Sequence, residues 1–202
     1  MKLHVFPPSP NSRKLLVVNS LLGLDLPQTI VDLQAGDQFK EELLTLNPNA
    51  KVPVLEEDDG SSLWESNAII NRLCTDHDTP LWPRSNARYD IMRWQFWEGC
   101  HWTPACSKFI SRHFFGREDI DMEAAAEGFH KYAKVLDGHL QGRDWLVGDQ
   151  MTTADVSVGA ILCYREPCQY PVQGYSNINR WIAQIEALEA WQIANPAPQA
   201  AE

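Results

Sequence analysis

The feature that most constrains this chain is a change of texture near residue 75. Before it, short β-branched runs alternate with helical patterns; after it, only helical patterns remain. A mixed α/β domain followed by an all-α domain is therefore expected, over residues 1–75 and 87–202. The polar stretch 76–86, with Pro80 and Pro83, is expected to link them. Leu3 to Phe6 reads as a buried strand. Leu15, Val18 and Leu22 recur at i, i+3 and i+7 before Gly23, a helix stop. Thr29 to Leu33 is strand-like again, and a strand, helix and strand in this order imply a right-handed parallel unit. Lys40 to Leu46 predicts a short helix, followed by the turn residues Asn47-Pro48-Asn49. Strands around Val54-Leu55 and Leu63-Trp64 flank Asp58-Asp59-Gly60, a hairpin signal, and Ile69, Ile70 and Leu73 mark a third helix. The predicted order is β-α-β-α-β-β-α.

In the second half, Ile91-Trp94-Trp97, Phe129-Tyr132-Leu136 and Ile178-Trp181-Ile185-Leu188 keep helical spacing. The residues from Pro196, with two prolines and three alanines, are expected to be loose. No internal repeat is present.

Charge and cysteine usage narrow the partners. Seventeen Lys and Arg against 27 Asp and Glu leave a formal charge of −10, which repels a phosphate backbone or an anionic membrane surface. Neither nucleic acid nor membrane is an expected partner. The five cysteines, at 74, 100, 106, 163 and 168, are odd in number and form no CxxC pair, which argues against a disulfide scaffold and a zinc ribbon. The start is hydrophobic only briefly before Pro7 and Pro8 interrupt it, and no run approaches a membrane span. A soluble protein of a cytoplasm-like compartment, with reduced thiols, is expected. The six histidines, at 4, 77, 101, 113, 130 and 139, show no metal-ligand spacing, and no phosphate loop or GxGxxG occurs. The chemistry must then sit in loops at strand ends.

The first such loop, Pro7-Pro8-Ser9-Pro10-Asn11-Ser12-Arg13, joins strand one to helix one. Asn11 and Ser12 are both good N-caps, so the helix is expected to begin there, with the Ser9 hydroxyl beside free N–H groups. Such a spot favours a thiolate. Lowering a thiol pKa from ~8.5 to ~6.5 takes about 2.7 kcal/mol. A charge-assisted hydrogen bond of ~1.5–3 kcal/mol and a dipole contribution of ~0.3–1 kcal/mol are of that size. On this loop alone, plain turn and cap roles for Ser9 and Asn11 are the commoner reading.

In the second loop, Asn47 to Leu55, a cis Val52-Pro53 bond would turn the Val52 backbone groups outward to pair with a peptide. Lys51 suits either a ligand carboxylate or a solvated surface. In the third, Trp64-Glu65-Ser66-Asn67-Ala68, Ser66 is expected as an N-cap whose neighbouring N–H groups hold a carboxylate, with Glu65 accepting from an ammonium. A thiol, a peptide backbone and an amino-acid head together describe a small thiol peptide such as glutathione.

Asn47-Pro48-Asn49-Ala50-Lys51-Val52-Pro53-Val54-Leu55, followed by Glu65-Ser66, resembles the glutathione-binding signature of cytosolic glutathione transferases. Gly148 to Asp155 resembles that family's capping motif, in which Thr152 and Asp155 satisfy each other's backbone donors. The resemblance covers nearly the whole chain. It implies a thioredoxin-like N-terminal domain and an all-helical C-terminal domain, glutathione as co-substrate with no metal, a homodimer, and an electrophile pocket between the domains. Ser9-Pro10-Asn11-Ser12-Arg13 resembles the serine-using theta and phi classes, which assigns the thiolate contact to Ser9. Gly36-Asp37-Gln38-Phe39-Lys40 resembles the nu class and the yeast prion-type relatives, which gives Asn11 a share of the thiol and takes Gln38 to the glycine end. On this resemblance Lys51, Val52, Pro53, Glu65 and Ser66 complete the glutathione site, and Phe6, Pro8, Trp97, His101, Trp102 and Phe109 are candidates for the pocket. Each tryptophan on a helical stripe also fits a core role. No tyrosine or cysteine occupies the strand-one loop, so a mixed disulfide there is not expected. Conjugation of the glutathione thiolate to small hydrophobic electrophiles in detoxification is the leading expectation. Glutathione-dependent reduction of disulfides or peroxides is the second, and a non-catalytic binding module the third.

Overall fold

The computed structural model describes residues 1–194; the expected loose tail from Pro196 lies outside the described residues. Two compact units are present. One comprises Met1–Trp82 together with the described residues from Leu188 on, the other Pro83–Ala187.

The first unit opens with β1 (Lys2–Val5), α1 (Pro10–Leu21) and β2 (Gln28–Ile30). A short 3₁₀ turn, Asp37–Phe39, leads into α2 (Glu41–Leu46), and β3 (Val54–Glu56), β4 (Ser62–Trp64) and α3 (Ser66–Thr75) follow. The sheet order is β2-β1-β3-β4, with β1 parallel to β2 and the other pairs antiparallel. Leu3 and Val5 of β1 and Val54 and Leu55 of β3 are fully buried, and Leu15 and Val18 of α1 and Ile69, Ile70 and Leu73 of α3 are fully or almost fully buried. The Asp58-Asp59-Gly60 turn closes the β3–β4 hairpin, Gly60 taking φ +83. Gly23 ends α1 at φ +64, a left-handed conformation that suits glycine.

Several boundaries differ from the sequence pattern. It predicts β2 over Thr29 to Leu33, but the strand stops at Ile30, because the Asp32 carboxylate accepts from the Gln34 and Ala35 N–H groups and turns the chain. It predicts α2 from Lys40, which instead serves as its N-cap residue. The segment from Leu188 joins this unit through α9 (Glu189–Ile193), which packs on α1. There the Arg13 guanidinium carbon lies 5.0 Å from the centre of the Trp191 ring.

The second unit is helical. It comprises α4 (Ala87–Trp97), a π-helical turn Glu98–Trp102, α5 (Thr103–His113), α6 (Met122–His139), α7 (Thr153–Ala160), a 3₁₀ turn Ile161–Tyr164 and α8 (Ser176–Glu186). Its core is aromatic. Phe129 packs against Trp102 at 5.0 Å, Phe109 at 5.7 Å and Tyr170 at 5.8 Å between ring centres. The Trp102 indole N–H donates to the Val158 carbonyl at 3.2 Å.

At the start of α7 the predicted capping box is present. Thr152 is the N-cap residue, and the Asp155 carboxylate accepts from the Thr152 N–H at 2.8 Å. The same carboxylate accepts from the Leu146 N–H and the Trp181 indole N–H, both at 2.9 Å. Burial pushes the Asp155 carboxyl above its ordinary range, and these donors oppose that shift. Asp155 therefore ties α7 to the preceding loop and to α8. Asp155→Ala leaves several buried donors without an acceptor, at ~1–3 kcal/mol each, whereas Thr152→Ala costs about 1 kcal/mol for the lost cap. Chemical denaturation is expected to show Asp155→Ala as the more damaging by at least ~2 kcal/mol; equal losses would contradict the hub role.

Candidate functional site

The strand-one loop places Ser9 as the N-cap residue of α1, with Pro10 at the first helical position. The helix thus begins one or two residues earlier than the sequence pattern predicts, because proline already has a helical φ and no N–H to satisfy. Neither Asn11 nor Ser12 is the cap. Ser12 instead reaches back, its hydroxyl accepting from the Phe6 N–H at 3.1 Å and fixing the loop. The Ser9 hydroxyl makes no capping bond. It stands at the positive end of a 12-residue helix, where the N–H groups of Asn11 and Ser12 have no intrahelical acceptor.

At the third loop, Glu65 rather than Ser66 is the N-cap residue of α3, and Ser66 is the first helical residue. Glu65 has φ +74, a conformation that costs a non-glycine residue ~1–3 kcal/mol. Its exposed side chain does not cap the helix. Ser66 is buried, and its hydroxyl donates to Asn11 Oδ1 at 3.3 Å. Two helix N-termini thus meet, and two predicted site residues from opposite ends of the domain touch.

Lys14 completes this junction. Its side chain is 2% exposed, and its ammonium donates to the Ser66 hydroxyl at 3.2 Å and to Asn67 Oδ1 at 3.3 Å. The sequence reading missed it. The signal was present: Asn11, Lys14 and Val18 recur at i, i+3 and i+7, which puts a lysine on the buried stripe of α1.

In the second loop the Val52-Pro53 peptide bond is cis. Val52 lies outside the β3 ladder, which starts at Val54, and packs in a cluster with Val31, Leu43, Val54 and the half-buried Phe6. Because Phe6 leads directly into the Ser9 loop, this cluster sets the first and second loops side by side. The turn is held by Asn47, which is 2% exposed. It donates to the Lys51 carbonyl at 2.8 Å and accepts from the Asn49 N–H at 3.0 Å. The Lys51 side chain is exposed. Gln38 sits in the 3₁₀ turn before α2, half-buried, and its Oε1 has no hydrogen-bond donor among the described residues. Pro8 is half-buried in the first loop.

In the second unit the π-helical turn changes which side chains align. Trp97 stacks on Trp102, five residues on, at 5.9 Å, rather than on His101. His101 is exposed and stacks on Tyr132 at 5.2 Å. Trp102 and Phe109 are 0% and 3% exposed. These two are core residues with no surface to offer a pocket, which corrects the expectation for them.

Among the described residues no cluster of His, Cys, Asp and Glu has the makings of a metal site, and no helix is long and apolar enough to cross a membrane. Burial pushes the Cys74 thiol up to about 12 and the Cys168 thiol to about 11, and holds Cys106 well above its ordinary value. These three thiols are therefore not nucleophiles at neutral pH. The unspent Ser9 hydroxyl at the α1 N-terminus is instead an arrangement of donors that suits an anionic group of a ligand.

Residues 3–81 match the glutathione S-transferase N-terminal domain and residues 96–189 the glutathione S-transferase C-terminal domain. Glutathione S-transferase D7 of Drosophila melanogaster is 29% identical over 191 residues, spanning 90% of this chain and 82% of its own. A glutathione S-transferase structure from Pseudomonas fluorescens superposes with a TM-score of 0.85 at 28% identity, over 94% of this chain and 96% of its own. A Burkholderia graminis glutathione transferase, with two glutathione molecules bound per subunit, gives 0.84 at 26%, over 99% and 89%. The chain belongs to the glutathione S-transferase family. It is an enzyme, a glutathione transferase with the family's thioredoxin-like domain followed by a helical domain.

Asn47 offers a direct check on how the second loop is held. Asn47→Ala is expected to lower unfolding free energy by ~1–3 kcal/mol, since it strips bonds from a buried turn, and to weaken glutathione binding. Lys51→Ala, on the exposed side of the same turn, is expected to change stability by less than ~0.5 kcal/mol. Equal losses in denaturant titrations would contradict the assignment.

Proposed function

We propose that this enzyme conjugates the glutathione thiolate to small hydrophobic electrophiles and belongs with the serine-using members of its family. The observation that carries the reading is the Ser9 hydroxyl, which stands at the positive end of α1 without being spent on capping it. Ser9 donates to the glutathione sulfur and holds it as thiolate, and Asn11 adds a second donor. The thiolate attacks an electrophilic carbon, the carbon–sulfur bond forms as the leaving group departs, and the thiol proton passes to solvent. No dedicated base is needed, because hydrogen bonds and the helix dipole stabilise the charged form.

The rest of the ligand follows the loops. The Val52 backbone pairs with the peptide, on the turn that Pro53 completes. The α3 N-terminus at Ser66 takes the α-carboxylate, and Glu65 takes the ammonium. Lys51 and Gln38 serve the glycine end; the unmatched Gln38 Oε1 supports a ligand N–H there. Phe6 and Pro8 are candidates for contact with the electrophile. We further read the enzyme as a cytoplasmic homodimer that works in detoxification, on its resemblance to the family.

Retention on immobilised glutathione and turnover of a halogenated nitroaromatic test the reading. A mixed-disulfide substrate assayed in parallel separates conjugation from glutathione-dependent reduction. Ser9→Ala is expected to raise the kinetic pKa of conjugation and to cut the rate at neutral pH by about tenfold to a hundredfold, the equivalent of a charge-assisted hydrogen bond. An unchanged pH–rate profile would remove Ser9 from that role.

A further inference from the structure

We infer that Lys14 is a positioning residue that makes Asn11 present hydrogen-bond donors, rather than its carbonyl oxygen, to the glutathione sulfur. The inference rests on the glutathione reading above. An ammonium group has three donors and no acceptor. Because Lys14 donates to the Ser66 hydroxyl, that hydroxyl must send its own proton elsewhere, and it sends it to Asn11 Oδ1. Asn11 Oδ1 is thereby committed as an acceptor. The Nδ2 hydrogens are left as the polar atoms that Asn11 can offer a ligand.

Without the ammonium the direction of the chain is free. The Ser66 hydroxyl can then accept from Asn11 Nδ2, the amide turns over, and Oδ1 faces the sulfur. A carbonyl oxygen against a thiolate repels it and favours the protonated thiol. The second bond, from Lys14 to Asn67 Oδ1, anchors the ammonium across the α1–α3 junction. The other ionisable groups on the packed elements are accounted for. Arg13 lies over Trp191, Arg72 pairs with Glu57 and Asp76, and His4 and Lys2 pair with Glu56. Glu65 and Glu189 are exposed, and Cys74 is a buried thiol.

The test is the pH–rate profile of nitroaromatic conjugation together with calorimetric glutathione binding, in wild type, Lys14→Met, Asn11→Ala and the double variant. Each single change is expected to raise the kinetic pKa by about one, which for a wild-type midpoint of ~6.5 lowers the rate at neutral pH about threefold and leaves the rate at high pH near wild type. The double variant is expected to lose no more than the worse single one, because Lys14 acts through Asn11. Glutathione affinity is expected to fall less than the neutral-pH rate. Additive losses, or a Lys14→Met profile that superimposes on wild type, overturn the inference and leave the proposed function standing. Wild type that binds no glutathione overturns both. If Lys14→Met does not fold, Lys14→Gln, which can accept as well as donate, is expected to raise the kinetic pKa too; an unchanged value overturns the inference.

Discussion

Two helices that begin side by side present their positive ends to each other, and the first unit is organised around the consequence. At the junction of α1 and α3 the first turns of the two helices come together, and the Lys14 ammonium of α1 bonds across to Ser66 and Asn67 of α3. Such a junction is incomplete without negative charge in front of it. The Lys14 ammonium donates to the Ser66 hydroxyl and to Asn67 Oδ1, and the Ser66 hydroxyl in turn donates to Asn11 Oδ1. In the function proposed above, the carboxylate and the thiolate of glutathione sit in front of this junction, so that a protein whose formal charge is −10 offers the positive ends of two helices to an anionic peptide.

The second unit treats its buried charge in the opposite way. Asp155 is surrounded by donors from the protein itself, so nothing remains for a ligand. Lys14 and Asp155 are both almost wholly inside; the cation donates to Ser66 and Asn67 beside the residues proposed to bind glutathione, whereas the anion accepts from Leu146, Thr152 and Trp181 within the helical unit.

Local chemistry was legible in the sequence wherever one residue type decides one conformation. Asp59-Gly60 specified the hairpin, Thr152 and Asp155 specified the cap of α7, and the parallel β1-α1-β2 unit followed from the order of the runs. Caps were harder, because Ser9, Asn11 and Ser12 are all competent and only the preference of proline for the first helical position selects among them. Ser66 shows the same ambiguity, settled by the left-handed backbone of Glu65. What sequence could not show was tertiary partnership. The stripe Asn11, Lys14 and Val18 marks Lys14 as inward, but its partners Ser66 and Asn67 come only with α3, and Asn47 reads as a turn residue until its amide is seen holding Lys51. The π-helical turn shifted Trp97 onto Trp102, since helical spacing arguments assume a period that this turn breaks.

The central claim is that the junction of α1 and α3 keeps a captured thiol ionised near neutrality. Ultraviolet titration of the thiolate in the complex of the wild-type enzyme with glutathione tests it most directly. The account predicts an ionisation midpoint well below the ~8.5 of a free thiol, lying near or under neutrality. A bound thiol that ionises where the free one does would contradict it.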